Sequence, residues 1–172
     1  GPRMTETMAG VADGIVIHPF NTGAFLSAHT MPNVDAGLAA AGRSRESLTL
    51  DVGCIAAPCV TDEEYERATT AMRFNLAFYG STPAYRVTLD HHGLGELQPR
   101  LRDATKSGDW STLGELVDDE VLDLLAVRGT PDQVAERLLA EYGAIADRLS
   151  LTVAGGGPEG LAALVEAVDA RS

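Results

Sequence analysis

Residues 13–20 read DGIVIHPF, and this short stretch decides the class of fold. Residues 15–17 are three β-branched apolar residues in succession, and Pro19 ends the run. A continuous apolar run is typical of a strand that is buried on both faces, as in a parallel sheet. We therefore predict an α/β protein whose first strand lies in residues 13–20.

Two later stretches predict two more strands. Residues 48–60, LTLDVGCIAAPCV, form a second apolar run, and in residues 148–153 three apolar side chains alternate with polar ones. Helical patterns separate the strands. Strands that alternate with helices indicate a parallel sheet with right-handed crossovers, so we expect about three parallel strands.

The helix starts and one helix interruption are marked by local signals. Thr61 with Glu64, and Thr130 with Gln133, have the spacing of a capping box, in which each side chain accepts a hydrogen bond from the other residue's backbone N–H. A helical pattern over residues 22–41 contains Pro32, which should bend or divide that helix.

Residues 80–127 form a long helical insertion between the second and third strands. No strand is predicted there, and two helices are expected at about residues 94–106 and 110–127. Three strands leave two open edges and an uncovered face, which favour association. We expect either that the insertion folds across this face or that a partner covers it, as a homodimer or as a separate chain that supplies the other half.

The charge balance excludes several kinds of partner. The 172 residues include 13 Lys and Arg against 25 Asp and Glu, a formal net charge of −12. Such a surface repels nucleic-acid phosphates and anionic lipid, so we expect neither a nucleic-acid nor a membrane role. We also expect no membrane-spanning segment and no signal peptide.

The cysteines and the first residues indicate the compartment and the natural domain. Cys54 and Cys59 would lie about 16 Å apart along one strand, beyond the reach of a disulfide. We interpret them as buried thiols of a cytoplasmic protein, and we predict no metal site because no ligand-spaced His or Cys follows. Residues 1–3, GPR, look like the remnant of an expression tag, which makes residues 4–172 a single domain.

Three stretches together resemble a known superfamily. AGVADGIVIHPF at residues 9–20 is similar to the AG-x-x-ADG strand of the bacterial-luciferase-like flavin and deazaflavin oxidoreductases. NLAFYGSTPAYRVTLDHHG at residues 75–93 resembles a segment of one deazaflavin-dependent subgroup. VRGTPDQVAERL followed by DRLSL resembles the superfamily's last helix and strand. All three occur in the superfamily's order.

The resemblance implies a (β/α)8 barrel, the TIM-barrel fold, of which this chain would supply a C-terminal part. It also implies an oxidoreductase or monooxygenase that uses FMN or a deazaflavin coenzyme. In the superfamily, the cofactor-phosphate site and much of the ring pocket come from earlier strands. The chain therefore resembles a truncated member whose cofactor site is incomplete, or one that binds no cofactor.

The end of the first strand is the first candidate for a functional site, because the C-terminal strand ends of such barrels form the active site. His18 lies there and would act as a hydrogen-bond donor or as a general acid or base. A histidine that only satisfies local backbone groups is the alternative. Phe20 is assigned to substrate binding.

The stretch FYGSTPAYR at residues 78–86 is rich in hydroxyl groups and rings, which line polar-aromatic pockets. Tyr79 is a catalytic candidate. The substrate-binding candidates in this stretch are Ser81, Thr82, Tyr85 and Arg86. A turn that ends a helix, with Gly80 just beyond its last residue, explains the same stretch structurally.

Two adjacent histidines and a glycine triplet complete the candidates. His92 is assigned to catalysis and His91 to substrate binding, although solvent exposure of both fits equally well. Because neighbouring side chains diverge, these two histidines cannot easily share a metal. The candidates for an anion site are Gly155, Gly156 and Gly157, whose N–H groups precede a helix. A flexible connection is the favoured alternative.

Three hypotheses for function follow from these observations. The first is a truncated luciferase-like oxidoreductase that acts on a small molecule with a flavin or deazaflavin. The second is a cofactor-free cyclase or isomerase, in which His18, Tyr79 and His92 carry the acid–base chemistry. The third is a non-catalytic partner subunit.

Overall fold

The structure, a computed structural model, describes residues 1–171 and forms a four-stranded parallel sheet over that range. The strands are β1 (Gly14–Ile17), β2 (Thr49–Pro58), β3 (Val127–Gly129) and β4 (Arg148–Val153). The three predicted strands are present, and the architecture is the expected partial barrel. The short β3 was not predicted, since three residues are too few to show a strand pattern.

β2 is the central strand and pairs with each of the other three. Val52 pairs with residues of both β1 and β4, and Ala56 pairs with residues of both β3 and β4. Because a strand residue has one neighbour on each side, β4 occupies one edge of β2. β1 and β3 therefore follow one another along the opposite edge.

Helices connect the strands. They are α1 (Pro2–Val11), α2 (Gly23–Phe25), α3 (Met31–Ala40), α4 (Asp62–Gly80), α5 (Arg86–His91), α6 (Leu97–Ser107), α7 (Trp110–Leu113), α8 (Asp119–Leu125), α9 (Pro131–Tyr142) and α10 (Pro158–Asp169). Between α2 and α3 lies a π turn, Leu26–Thr30, so that the chain is helical without a break. The interruption expected at Pro32 takes this form, because a wider turn accommodates a residue that cannot donate a backbone hydrogen bond.

α1 was not predicted from the sequence, and it begins at Pro2, inside the stretch interpreted as a tag remnant. Its contact with α3 is made by small residues. A Cβ added to Gly37 of α3 would collide with the carbonyl oxygen of Glu6 and lie 2.9 Å from the Cβ of Ala9. Met4, Met8 and Val11 have the spacing of an apolar stripe, but this stripe faces solvent and all three side chains are exposed.

The insertion differs from its prediction in detail. The helix expected at residues 110–127 is broken after a 3₁₀ turn, Gly114–Leu116. The break follows from Asp118, whose carboxylate accepts the N–H of Val121 and starts α8. Gly80 is the last residue of α4 rather than a residue beyond its end, and a Cβ there would lie 2.8 Å from Leu101 Cδ1. Its lack of a side chain therefore serves helix packing.

The two faces of β2 belong to different cores. Val52, Cys54 and Ala56 pack with residues of α9 and α10. Ile55 and Ala57 pack instead with α4 and the insertion helices. The insertion thus covers this face of β2 toward the C-terminal end of the strand. This is the first of the two arrangements expected, in which the insertion folds across the sheet. Toward the N-terminal end the same face stays open, and Val16 of β1 is 77% exposed there.

The caps and cysteines largely match their predictions. Thr130 and Gln133 form the complete capping box of α9. At α4, Thr61 accepts from the N–H of Glu64, but the Glu64 carboxylate accepts from the N–H of Val60 instead of that of Thr61. Both cysteines are buried free thiols, and burial raises the pKa of Cys54 to about 12. Within residues 1–171, none of the helices has the length and apolar composition that crossing a membrane requires.

Candidate functional site

The chain that leaves β1 is held tightly against β2. A Cβ at Gly53 of β2 would lie 2.7 Å from the carbonyl oxygen of Ile17, so glycine permits this close approach. The Asn21 side-chain amide donates to the carbonyl oxygens of His18 at 2.7 Å and of Gly53 at 3.0 Å. These contacts fix the position of His18 at the C-terminal end of β1.

The His18 ring is held by aromatic contacts. It stacks on Tyr85, with ring centroids 4.5 Å apart and an interplanar angle of 20°. The Tyr79 ring meets it edge-on at 4.9 Å. Because the N–H of Phe20 donates to His18 Nδ1 at 3.2 Å, the proton of the neutral ring lies on Nε2. Desolvation lowers the pKa of His18, so at neutral pH the ring is an uncharged donor.

A cavity of 350 Å³ lies beside this ring, and we call it the His18 cavity. Its wall includes His18, Phe20, Asn21, Phe25, His29 and Tyr85. Among the described residues that line it there is no Asp, Glu, Lys or Arg side chain, and Gly1, which carries the amino group of the chain, lies at one side. Such a cavity suits an uncharged, planar group. A larger cavity of 440 Å³ between α9, α10 and β4 contains none of the predicted site residues.

Asn21 is a site residue that sequence reasoning missed. It is 2% exposed, and its Oδ1 atom is buried without a hydrogen-bond partner in residues 1–171. The amide cannot rotate to pair this oxygen, since its nitrogen already donates to two carbonyl groups. An orphaned buried acceptor costs about 1–3 kcal/mol. The only signal in the sequence is a polar residue directly after a strand end.

The predicted loop residues divide into two groups. The structure brings Phe20 and Tyr85 to the His18 cavity, and Tyr79 reaches the His18 ring from the side. Ser81 is buried and donates to the carbonyl oxygen of Phe78 at 2.7 Å, so its hydroxyl closes the end of α4. Thr82 is exposed and does not line the cavity.

Arg86 is also kept away from the His18 cavity. Its guanidinium group pairs with Asp90 at 3.4 Å and with Glu96 at 3.3 Å. Asp90 belongs to α5 itself and Glu96 follows it, and neither these residues nor Arg86 line the cavity. The assignment of Arg86 to substrate binding therefore has no geometric support.

The adjacent histidines do not diverge as expected: their rings meet edge-on with centroids 4.7 Å apart, although their nitrogens have different hydrogen-bond partners. His92 Nε2 lies 2.9 Å from Thr22 Oγ1. His91 Nδ1 lies 3.1 Å from His29 Nε2, and His29 lines the His18 cavity. The pKa of His92 is lowered, mainly by desolvation and to a smaller extent by the neighbouring His91. Glu141 acts in the opposite direction.

The glycine triplet serves close packing. Gly155 has φ +82°, and a Cβ there would lie 2.5 Å from the Cα of Ala68. A Cβ on Gly157, which precedes α10, would lie 2.6 Å from a carboxylate oxygen of Glu64. A carboxylate beside these N–H groups disfavours an anion there, and the close packing differs from the flexible connection that was the favoured alternative.

The fold and the cavity at a strand end are those of part of a (β/α)8 barrel. The sequence matches the profile of the luciferase-like monooxygenases over residues 1–148, and the chain belongs to this family. This confirms the resemblance that the three motifs indicated.

Two relatives show how much of the chain is matched. The uncharacterized protein Rv1360 of Mycobacterium tuberculosis is 40% identical over 149 residues, which are 87% of this chain and 44% of that protein. The 5,10-methylenetetrahydromethanopterin reductase of Archaeoglobus fulgidus is 36% identical and matches 80% of this chain and 41% of its own length.

A solved structure confirms the fold. The coenzyme F420 dependent tetrahydromethanopterin reductase from Methanopyrus kandleri superposes with a TM-score of 0.74 at 22% identity, over 97% of this chain and 47% of that one. The chain thus spans less than half the length of the relatives that it matches, and its fold corresponds to part of their barrel.

Proposed function

We propose that this chain forms one wall of the active site of a deazaflavin-dependent oxidoreductase that acts on a small molecule. The observation that carries the proposal is the His18 cavity, free of Asp, Glu, Lys and Arg side chains, at the C-terminal end of β1. This is the end at which (β/α)8 barrels place their active sites. The names of the similar reductases and their dependence on coenzyme F420, a deazaflavin, support this choice of cofactor over FMN.

The residues of this chain fit the ring of such a cofactor and not its anionic tail. Phe20, Phe25 and Tyr85 offer flat apolar surfaces, and the Nε2–H of His18 offers a donor. No Lys or Arg of the described chain lines the cavity, so a phosphate would have to be held elsewhere. When bound, the cofactor supplies hydride transfer.

His18 then orients and polarises the substrate. Its Nε2–H donates to a substrate oxygen or nitrogen, while the backbone N–H of Phe20 keeps the lone pair of Nδ1 engaged. Stacking on Tyr85 restricts rotation of the ring, which keeps the donor aimed in one direction. Tyr79 contacts the edge of the same ring and acts as a positioning residue.

The remainder of the active site must come from outside the described residues. β4 pairs with a neighbour on one edge within residues 1–171, and Val16 exposes its side chain on the open face. We propose that further barrel strands cover this surface, and that the isolated chain uses a second copy as a substitute. The buried free thiols fit the reducing cytoplasm.

A titration tests the proposed cofactor. The chain is mixed with coenzyme F420 or, for comparison, FMN, and cofactor fluorescence is followed. We expect saturable binding of F420. In Tyr85→Ala it should weaken about tenfold, the effect of losing a ring contact of about 1.4 kcal/mol. Thr82→Ala, an exposed position in the same loop, should leave binding unchanged.

The titration is repeated in the presence of the part of the Archaeoglobus fulgidus reductase that this chain does not match. Tighter binding in the mixture would support a site shared between the two parts. Absence of saturable binding both alone and in the mixture would overturn the proposal, as would equal weakening by the Tyr85 and Thr82 variants.

A further inference from the structure

Two histidines from distant parts of the chain meet at the rim of the His18 cavity. His29 lies in the π turn, and His91 is the last residue of α5. His29 Nε2 and His91 Nδ1 are 3.1 Å apart, and the two rings are nearly perpendicular, at 87°. Both side chains are exposed, so an ion from solvent can reach them.

This separation suits a shared metal ion. Zn²⁺ binds histidine nitrogens at about 2.0–2.1 Å, so two nitrogens at a tetrahedral angle are about 3.3 Å apart. A hydrogen bond between the rings also fits the distance; one of the two nitrogens then carries the proton, and binding of a metal ion requires this proton to move to the other nitrogen of its ring. We propose that His29 and His91 together bind a divalent transition-metal ion, with Zn²⁺ and Cu²⁺ as the best candidates.

The surroundings of the pair favour a cation. The formal net charge of the chain is −12, and no Lys or Arg side chain lines the cavity that His29 borders, although Gly1, which carries the amino group of the chain, does. The carbonyl oxygen of His29 accepts a hydrogen bond from the Asn33 side chain, which ties down the turn. π turns occur mainly as single turns inside helices, often where a side chain has to be aimed at a functional site.

The proposed site is an open one. Within residues 1–171, no three side chains of His, Cys, Asp or Glu converge on one point, so this chain supplies two ligands. His92 is adjacent, but its Nε2 is taken by Thr22. Water or a donor atom of a bound molecule would fill the remaining positions, as in catalytic rather than structural zinc sites. With two protein ligands, we expect micromolar affinity and tighter binding of Cu²⁺ than of Zn²⁺.

Calorimetric titration of the 172-residue chain with ZnCl₂ near neutral pH tests the proposal. We expect one ion per chain, and affinity at least about tenfold weaker in His29→Ala and in His91→Ala. Asp35→Ala removes an exposed carboxylate of α3 outside the pair and should leave the affinity unchanged. Mg²⁺, which prefers oxygen ligands, should not bind.

The wild-type chain gives an independent readout that does not depend on the variants folding. The electron paramagnetic resonance spectrum of bound Cu²⁺ should show hyperfine splitting from two imidazole nitrogens. The proposal is overturned if millimolar Zn²⁺ fails to saturate the chain, or if the two alanine variants bind as the wild type does. A Cu²⁺ spectrum without nitrogen splitting would equally contradict it.

Discussion

At the scale of single residues, His18 shows how backbone geometry selects a protonation state. A backbone N–H two residues along the chain occupies Nδ1, and the two tyrosine rings shield part of the exposed imidazole from water. Both effects favour the neutral ring with its proton on Nε2. The fold therefore makes Nε2–H of His18 a hydrogen-bond donor before any ligand binds.

The protonation of His18 can be measured directly by a nuclear magnetic resonance titration of the ring signals. His18 and His92 should both titrate below the ordinary value of 6.5. Replacement Tyr85→Ala should return the pKa of His18 toward 6.5 by rehydrating the ring, while that of His92 should not move. Titration of His18 at or above 6.5 in the wild type would contradict the assigned donor state.

The lowered pKa of His18 also determines how this residue makes the free energy of unfolding depend on pH. Because the folded chain binds this proton more weakly than the unfolded chain does, the contribution of His18 to stability is present above the unfolded pKa. It is lost as the pH falls from about 6.5 through the lower folded pKa. The exposed ring makes this a small term.

Sequence patterns found part of the candidate site, for identifiable reasons. His18 and Phe20 were found because a strand end can be located from an apolar run and a proline. Ser81 and Arg86 were assigned from loop composition, but their partners, Phe78 among them, are set by the fold. His29 went unnoticed because its partner lies 62 residues away along the chain.

At the scale of elements, the crossing of α1 and α3 depends on the absence of side chains. Gly37 faces the backbone of α1 so closely that no Cβ fits. Gly10 of α1 lies opposite, where a Cβ would be 3.3 Å from the Gly37 carbonyl oxygen. Close backbone contact thus replaces the interlocking of large side chains.

Gly37→Ala tests this crossing. The new methyl group must push α1 away, and we expect a net loss of about 1–2 kcal/mol in the free energy of unfolding, although alanine is the better helix former. Asp35→Ala, on the exposed side of the same helix, should change stability by less than about 0.5 kcal/mol. Equal unfolding curves for Gly37→Ala and the wild type would show that α1 is not packed as described.

The capping box of α9 permits a second test at this scale. Thr130→Ala removes the acceptor of the Gln133 N–H and should cost about 1 kcal/mol in denaturant unfolding. Thr82 also precedes a helical turn but makes no capping bond, so Thr82→Ala serves as the matched control and should be close to neutral. A Thr130 variant as stable as the control would contradict the role of the cap.

Prediction at this scale succeeded where a signal is local. Thr130, Pro131 and Gln133 mark the start of α9 within four residues, and the structure confirms it. β3 is too short to carry such a signal, and α1 starts without a side-chain cap and buries the small residue Ala9. Their places are decided by contacts with β2 and α3.

At the scale of the whole molecule, the sheet is covered unevenly. The insertion closes the face of β2 toward the C-terminal strand ends, and Val16 stays exposed toward the other end. Asp51 and Ser150 share this open face and bond to one another at 2.5 Å. A solvated apolar side chain beside an unpaired strand edge invites association.

The isolated chain should therefore self-associate, and light scattering after size-exclusion chromatography measures this. Val16→Glu places a charge on the open face and should shift the chain toward monomer. Val11→Glu is the control, because Val11 is 74% exposed on α1, away from the sheet face. A wild-type chain that stays monomeric at high concentration would rule out association through this face.

The position of β2 has a further consequence, for the order of folding. Its partner β4 joins it through contacts such as the Leu50 N–H to the Asp147 carboxylate, between residues 97 positions apart. Closing so long a loop is entropically costly, and topologies rich in distant pairings fold slowly. During synthesis, β2 would leave the ribosome well before β4, and one edge of β2 would stay unpaired until β4 is made. An unpaired edge is prone to aggregation, so this is the stage at which a chaperone would bind most usefully.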